Sequence, residues 1–304
     1  MFFQRAKIGL NETWRYIVGS FLILIGWLSI SSAPVVVLYI YIAIKGGTVT
    51  GDIANDALSV GLGKNIALLS MLSTFVLACL CIYFVVKYFH KKPFMSIITS
   101  RYTFSWKRAG FGFLVWFLLA MIPFYFSYQQ SPEDYTFSFN PTTFIPLLLI
   151  CIFILPFQTS FEELLMRGYG MQGVGLTTQS SLLALIIPAV IFGLLHSANP
   201  EVMEYGFYKM MPFYVGMGLF LGIMTIMDNG LEMAIGVHFA NNFTAAVFVN
   251  MENSALATDA LFMAKSYNPT KDIPYAVATM VIFLILAHLT FKWGNWNKLI
   301  RKIK

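Results

Sequence analysis

The sequence predicts an all-α fold, a polytopic membrane bundle of about eight transmembrane helices, and two observations point to it. Of the 304 residues, 58% are hydrophobic and only 11% are charged, whereas an ordinary soluble domain contains about 25% charged residues. Apolar runs of about 20 residues, the length that crosses a bilayer, recur along the whole chain. Because no polar stretch is large enough for a separate soluble domain, we expect residues 1–304 to form a single membrane-embedded domain.

Eight apolar segments are predicted to be the transmembrane helices: 16–44, 64–89, 110–128, 142–172, 180–198, 208–228, 231–250 and 273–292. The first resembles a signal peptide at its start, but a further apolar run follows Pro34 and continues to Ile44. A cleaved peptide would end near Pro34, so we expect a retained span that bends or breaks there. The fourth segment is long enough to project beyond the bilayer.

The net charge of +6 is clustered, and the clusters predict how the chain is oriented. Lysines and arginines are concentrated in the segment 90–109 and in the C-terminal tail, whereas the segment 129–141 holds two acidic residues and no base. Since cytoplasmic loops are enriched in lysine and arginine, both termini are expected in the cytoplasm. The positive charge is therefore explained by membrane topology and does not indicate a nucleic-acid partner. We expect the chain to interact with the lipid bilayer.

The basic segment 90–109 mixes its charges with aromatic residues such as Phe94, Tyr102 and Trp106. Two interpretations of this pattern remain open. The segment lies on the inner interface of the membrane, or it is an ordinary cytoplasmic loop.

Charged side chains also occur inside the fourth predicted span, in the stretch TSFEELLMRGYG, residues 159–170. Ionisable residues within a membrane are costly and usually functional. Glu163 and Arg167 are four residues apart and therefore lie on one helical face as an acid–base pair. Glu162 is rotated by about 100° from Glu163 and stays free, which suits a general base. The alternative is a purely structural pair, with Glu162 extending toward the membrane surface.

Three more polar residues of interest lie in later spans. His196 follows the apolar run IIPAVIFGLL. His238 and Asn242 are four residues apart, so both point to one spot, where they would bind a metal ion or stabilise a developing oxyanion. The sixth span also carries small residues that let neighbouring helices approach closely: Gly216, Gly218 and Gly222.

These residues form three motifs, each on a separate predicted helix: EExxxR (Glu162, Glu163, Arg167), FxxxH (Phe192, His196) and HxxxN (His238, Asn242). In this order the motifs resemble those of the CPBP intramembrane endopeptidases, the family of CAAX-processing and bacteriocin-processing proteases also called Abi proteins. The resemblance covers about 142–250, which we expect to be the catalytic core. It departs from the family at Glu232, where an aromatic residue is common.

The resemblance implies hydrolysis of a peptide bond within or beside the membrane. Glu162 with His196 would activate a water molecule, and His238 with Asn242 would stabilise the oxyanion of the tetrahedral intermediate. Three supporting residues are also implied: Glu163, Arg167 and Phe192.

Two mechanisms are compatible with this set of residues. In the favoured mechanism no cofactor takes part, and a glutamate and a histidine activate the water. In the other, Glu162, His196 and His238 hold Zn²⁺, whose bound water is the nucleophile. We favour the metal-free mechanism because the chain has no HExxH motif.

The expected function is therefore that of an intramembrane endopeptidase acting on a membrane-associated peptide or protein, whose identity and lipidation the sequence does not reveal. One alternative is a catalytically silent Abi-like scaffold that binds and regulates a partner protein. Another is a transporter with a proton relay, although no internal repeat supports it. Bacterial members of the family are associated with bacteriocin immunity, and the residue usage resembles that of a Gram-positive bacterium, so we expect a bacterial cell membrane.

Overall fold

The structure, a computed structural model, describes residues 2–251, 253–265 and 267–303. Helices account for 75% of the chain and strands for only 4%. The predicted all-α class is confirmed.

The described chain forms long helices that are connected by turns and by several helices of only four to six residues. They are α1 (Phe2–Ala6), α2 (Thr13–Leu28), α3 (Ala33–Ile44), α4 (Ile53–Leu58), α5 (Lys64–Phe84), α6 (Met95–Ile98), α7 (Trp106–Gln130), α8 (Pro141–Phe153), α9 (Leu155–Glu163), α10 (Met171–Thr178), α11 (Ser181–Leu195), α12 (Pro200–Tyr205), α13 (Phe207–Asp228), α14 (Glu232–Phe243) and α15 (Pro269–Phe291). The wider turns of a π-helix extend α5 over Val85–Phe89, join α9 to α10 over Leu164–Gly170, and extend α14 over Thr244–Phe248. Such widened turns are frequent at functional sites, and two of the three adjoin helices that carry predicted site residues.

Six helical stretches of the described chain are long and apolar enough to cross a bilayer: Thr13–Ile44, Lys64–Phe89, Trp106–Gln130, Pro141–Thr178, Phe207–Asp228 and Pro269–Phe291. They coincide with six of the eight predicted spans, so the multi-pass bundle is confirmed. In the first stretch the helix is interrupted over Ile30–Ser32 and begins again at Ala33, next to the proline where a break was predicted.

The other two predicted spans, 180–198 and 231–250, are helices that are shorter than predicted. The helix α11 has 15 residues, and α14 has 12 residues followed by five in wider turns. At about 1.5 Å per residue each is shorter than the hydrocarbon core of about 30 Å. The count of eight complete crossings therefore stays a prediction. Both short helices carry predicted site residues.

The two ends of the bundle differ in charge. At one end lie the segment 85–108, the turn after α13, the turn before α11 and the C-terminal tail. Bridges pair Thr99 with Gly230 and Ser180 with Lys302 there. We call this the basic end, because it holds most of the lysines and arginines. The opposite end, which we call the acidic end, is formed by the connections after α3, α7, α11 and α14. Its acidic residues include Asp52, Asp56, Glu133, Asp134, Glu201, Glu204 and Asp259.

A small sheet at the acidic end was not predicted. Its strands are β1 (Tyr135–Phe137), β2 (Val249–Met251) and β3 (Phe262–Ala264), in the order β1-β3-β2. The central strand β3 is antiparallel to β1 and parallel to β2. Because β2 follows α14 directly, the sheet fixes the start of the loop that runs back across this end of the bundle.

Glycines set the close approach of two helix pairs. A Cβ atom at Gly236 of α14 would collide with the carbonyl of Ala109, next to α7 residue Gly112. A Cβ at Gly218 of α13 would lie 2.8 Å from the backbone of Ala189 in α11, so the predicted role of Gly218 as a helix contact is confirmed. Gly222 similarly faces Leu185, whereas the same prediction for Gly216 is wrong, since that position faces open space.

The segment 90–109 is packed onto the basic end of the bundle. Arg101 forms ion pairs with Asp228 at 3.0 Å and with Glu232 at 3.1 Å. Lys92 is buried, and its Nζ donates to the carbonyl of Ala6 at 2.8 Å and to the hydroxyl of Tyr16 at 2.6 Å. Burial lowers the pKa of Lys92 to about 7, because a charged ammonium loses its hydration there. Contact of this segment with the membrane interface stays a prediction.

The charge difference between the ends predicts which way the protein faces. If the basic end is cytoplasmic, a cysteine at exposed Ser138, near the sheet, reacts in whole cells with a membrane-impermeant maleimide. A cysteine at exposed Lys302 reacts only after lysis. The control is the parent chain, whose cysteines lie on helices α5 and α8: Cys79, Cys81 and Cys151. The reverse labelling pattern would contradict the orientation.

Candidate active site

The predicted carboxylates lie where the long fourth helical stretch changes its geometry. Helix α8 ends at Phe153, and α9 begins at Leu155 with a proline in its first turn. Glu162 and Glu163 form the end of α9, and the wider turns of Leu164–Gly170 follow at once. The two glutamates therefore project from a helix whose backbone is irregular on both sides.

Glu163 is the centre of a buried network. Its side chain is 0% exposed, that of Arg167 is 1% exposed, and Arg167 Nη1 donates to Glu163 Oε1 at 2.8 Å. Arg167 Nη2 donates to the carbonyl of Gly218 at 3.3 Å, and the guanidinium lies 4.3 Å from the ring centroid of Phe192. The ion pair expected from the spacing is thus present. Hydrogen bonds and an aromatic face compensate the buried guanidinium for its lost hydration.

The same carboxylate oxygen orients His238. The Nδ1 atom of His238 lies 2.8 Å from Glu163 Oε1. Since a carboxylate oxygen only accepts hydrogen bonds, we assign the proton of the neutral ring to Nδ1. The Nε2 atom then carries a lone pair, and it lies 3.8 Å from Glu162 Oε2.

Glu162 keeps one oxygen free. Its Oε1 accepts a hydrogen bond from Nε2 of Gln158, one turn earlier in α9. Its Oε2 is buried and has no hydrogen-bond partner in the described structure. The side chain is 18% exposed, against 0% for Glu163. The expectation that Glu162 would be the unpaired carboxylate agrees with this geometry.

A chain of amides leads to Glu162. Trp116 Nε1 donates to Asn241 Oδ1 at 3.4 Å, and Asn241 Nδ2 donates to Asn242 Oδ1 at 3.1 Å. Asn242 Nδ2 then donates to Gln158 Oε1 at 3.0 Å, and Gln158 donates to Glu162. Each donor points toward the carboxylate. Asn241 is therefore part of this network.

His196 lies on another wall of the same site. Its Nδ1 lies 2.7 Å from the carbonyl oxygen of Phe192, to which it donates. Its ring is stacked on Tyr214 with 4.6 Å between centroids, and it lies 4.5 Å from the ring of Phe192. His196 follows directly after the last residue of α11, so the site lies toward the end of that helix. The structure places His238, and not His196, as the imidazole that contacts Glu162.

Most of these side chains line one cavity of about 500 Å³, whereas Glu163 and Arg167 lie buried behind it. Glu162, His196, His238 and Asn242 line it together with apolar residues of α5, α9 and α13. It adjoins a second cavity of about 440 Å³, formed by loops of the acidic end. The residues common to both are Met71, Asn199, Ser254 and Ala255. The site is therefore reached from the acidic end of the bundle.

A third cavity, of about 690 Å³, adjoins the site from the side. Residues of α7 and α15 line it, and among them Ile122, Phe126 and Tyr275 are exposed on the outside of the bundle. It shares six residues with the site cavity: Glu201, Asn241, Ala245, Met251, Ser254 and Tyr267. A second route therefore leads from the apolar surface of the bundle to the site.

Comparison with known proteins finds one similar family. Residues 141–244 match the family model described as type II CAAX prenyl endopeptidase Rce1-like. This segment of the chain is therefore similar to that family. All of the predicted site residues lie within the Rce1-like segment, which covers almost the same residues as the predicted core.

The similarity to a bacterial protein extends beyond the Rce1-like segment. The chain is 29% identical over 287 residues to YyaK of Bacillus subtilis, an uncharacterized protein, and the match covers 94% of each chain. No solved structure matches the chain.

The three residues considered as zinc ligands, Glu162, His196 and His238, do not converge on one point in the structure. Among the described residues, no three histidine, cysteine, aspartate or glutamate side chains are grouped so that they would hold a metal ion. Glu162 and His238 converge, but His196 donates to the carbonyl of Phe192 and stacks on Tyr214. Zinc dependence stays an alternative that experiment decides.

Several polar residues of the site were not predicted from the sequence. Gln158 is four residues before Glu162, a spacing that places both on one helical face, so its role was detectable. Asn199, Glu201 and Tyr214 gave no such signal, because their positions depend on how α12 and α13 pack beside His196.

The buried network predicts a specific stability effect. Arg167→Met would leave the charge of Glu163 buried without its partner, so we expect the free energy of unfolding in detergent to fall by about 3–5 kcal/mol. The double variant Arg167→Met with Glu163→Gln removes both charges and recovers part of that loss. A double variant that is no more stable than Arg167→Met alone would show that the buried charge is not the cause.

Proposed function

We propose that the chain is an intramembrane endopeptidase that hydrolyses a peptide bond of a membrane-associated peptide or protein, with Glu162 as the general base. The similarity of residues 141–244 to the Rce1-like family supports protease activity. The observation that carries the assignment is the free Oε2 of Glu162, which faces the cavity 3.8 Å from Nε2 of His238.

The spacing of these two atoms suits one water molecule. Two acceptors 3.8 Å apart can each lie about 2.8 Å from a third atom, the usual length of such hydrogen bonds. A water held in this way donates one proton to Glu162 Oε2 and the other to His238 Nε2. His196 adds a second imidazole nitrogen, its Nε2, to the same cavity.

The reaction then proceeds by general base catalysis. The water oxygen bonds to the carbonyl carbon while its proton passes to Glu162, and the carbonyl electron pair moves to the oxygen. The C–N bond of the tetrahedral intermediate then breaks, and the proton held by Glu162 passes to the leaving nitrogen. The products are a carboxylate and an amine, and the second proton of the water is released.

In this mechanism His238 and Asn242 stabilise the oxyanion. Asn242 uses one of its two amide protons on Gln158 and keeps the other for the substrate. His238 becomes a donor at Nε2 when the second proton of the bound water passes to it, and Glu163 beneath it stabilises that charge. Preorganised donors of this kind are usually a large contribution to catalysis.

Removing the carboxylate tests this assignment. In Glu162→Gln we expect the rate of cleavage to fall by at least about 100-fold, because general base catalysis contributes about 10²–10⁴-fold. The measurement compares new protein N-termini in membranes of cells that express wild type or Glu162→Gln at equal levels. Exposed Glu204, changed to glutamine, is the control. Identical sets of N-termini in wild type and Glu162→Gln would favour the non-catalytic scaffold.

Metal removal tests the choice of mechanism. If the water is activated without a metal, purified wild-type protein keeps its activity after dialysis against a chelator, and zinc analysis gives much less than one equivalent. Loss of activity that stoichiometric zinc restores would favour the zinc mechanism with Glu162, His196 and His238 as ligands.

A further inference from the structure

A second buried carboxylate lies beside the proposed catalytic residues. Glu201 is in the first turn of α12, five residues after His196, and is 8% exposed. Its Oε1 accepts a hydrogen bond from the backbone N–H of Ala255 at 3.1 Å. Its Oε2 is buried and has no hydrogen-bond partner. Such an unpaired oxygen is unfavourable, which indicates that a group absent from the free protein completes the site.

Nothing in the described chain neutralises this carboxylate. Its described neighbours include no lysine or arginine that forms an ion pair with it, although the side cavity also holds Lys271 and Asp272. The mechanism proposed above does not use Glu201. Its negative charge is therefore available to a ligand.

Aromatic rings lie near the Glu201 carboxylate. Tyr214 and Tyr267 line the site cavity together with Glu201, and the ring of Tyr205 lies 5.4 Å from that of Tyr267. The ring of Tyr214 stacks on His196 with 4.6 Å between centroids. A group bound at Glu201 would thus lie close to the proposed catalytic centre.

The location also suits a substrate on its way to the site. Glu201 and Tyr267 line both the site cavity and the side cavity between α7 and α15. A peptide that enters from the side therefore passes this carboxylate before it reaches Glu162.

We propose that Glu201, with Tyr214 and Tyr267, forms a subsite for a cationic group of the peptide substrate, an ammonium or guanidinium near the bond that is cleaved. This inference rests on the proposed endopeptidase function. A carboxylate supplies charge-assisted hydrogen bonds, and aromatic faces attract cations. The cation comes from a lysine or arginine side chain or from the N-terminal amine of the peptide.

Synthetic peptide libraries test the subsite. Decapeptides with a fixed central Lys, Arg or uncharged norleucine, random flanks, and either a free or an acetylated N-terminus are incubated with wild type. Mass spectrometry then identifies the cleaved bonds and their rates. We expect kcat/KM to be at least about tenfold higher for one cationic source than for norleucine with an acetylated N-terminus, as charged hydrogen bonds contribute about that factor. The favoured library identifies the source of the cation.

The variant Glu201→Gln keeps an oxygen for the Ala255 N–H but loses the charge. We expect it to lose the cation preference, so that kcat/KM for the cationic libraries falls to the value that the same variant shows for the norleucine library. Glu204→Gln, an exposed position on the same helix, is the matched control and keeps the preference. Equal cleavage of all libraries by wild type would overturn the subsite and leave the endopeptidase function standing.

A binding measurement separates failure of the subsite from failure of the function. The same libraries are passed over immobilised Glu162→Gln protein, and retained peptides are counted by mass spectrometry. Enrichment of a cationic library that the Glu162→Gln, Glu201→Gln double variant loses supports the subsite, even if wild type cleaves nothing. Equal retention of cationic and norleucine libraries would overturn it. Thermal unfolding midpoints show that each variant is folded.

Discussion

One oxygen atom, Oε1 of Glu163, receives hydrogen bonds from both Arg167 and His238, and the rest of the site depends on this shared acceptor. Arg167 needs it because the guanidinium is buried and would otherwise lack its counter-charge. His238 needs it because the bond to Nδ1 fixes the ring and turns Nε2 toward the cavity. Since Glu163 serves both, Glu162 is left without a charged partner of its own, and only the amide of Gln158 holds it.

The contacts between residues of the same helix were largely predictable from their spacing in the sequence. Glu163 and Arg167 are one turn apart, so their ion pair follows from helical geometry, as does the different direction of Glu162. Contacts between helices were not predictable in the same way. His238 lies 75 residues from Glu163, and the sequence gave no reason to place it, instead of His196, next to Glu162. That choice depends on the packing of α14 against α9, which brings His238 to Glu163 and Glu162.

The six long membrane spans were predictable from their apolar composition. The lengths of the two helices that carry site residues, α11 and α14, were less predictable. Six spans were found because each needs about 20 apolar residues. Helices α11 and α14 are shorter, since the chain must stop there to place His196 and to form the sheet. That sheet has strands of only three residues, too short for a periodic pattern to reveal. Glu232, the departure from the family pattern, is explained by Arg101, its partner from a distant segment.

The charge distribution links the access routes to the chemistry. The loops around the cavity mouth and Glu201 belong to the acidic end, and a surface of one sign raises the local concentration of ligands of the other sign. A cationic peptide segment would thus be attracted to the mouth, while the apolar side cavity accommodates a membrane-bound segment. Arg167, which is buried beside the site, would repel such a substrate if it were unpaired. Its neutralisation by Glu163 therefore serves substrate binding as well as the folding of the helix that carries Glu162.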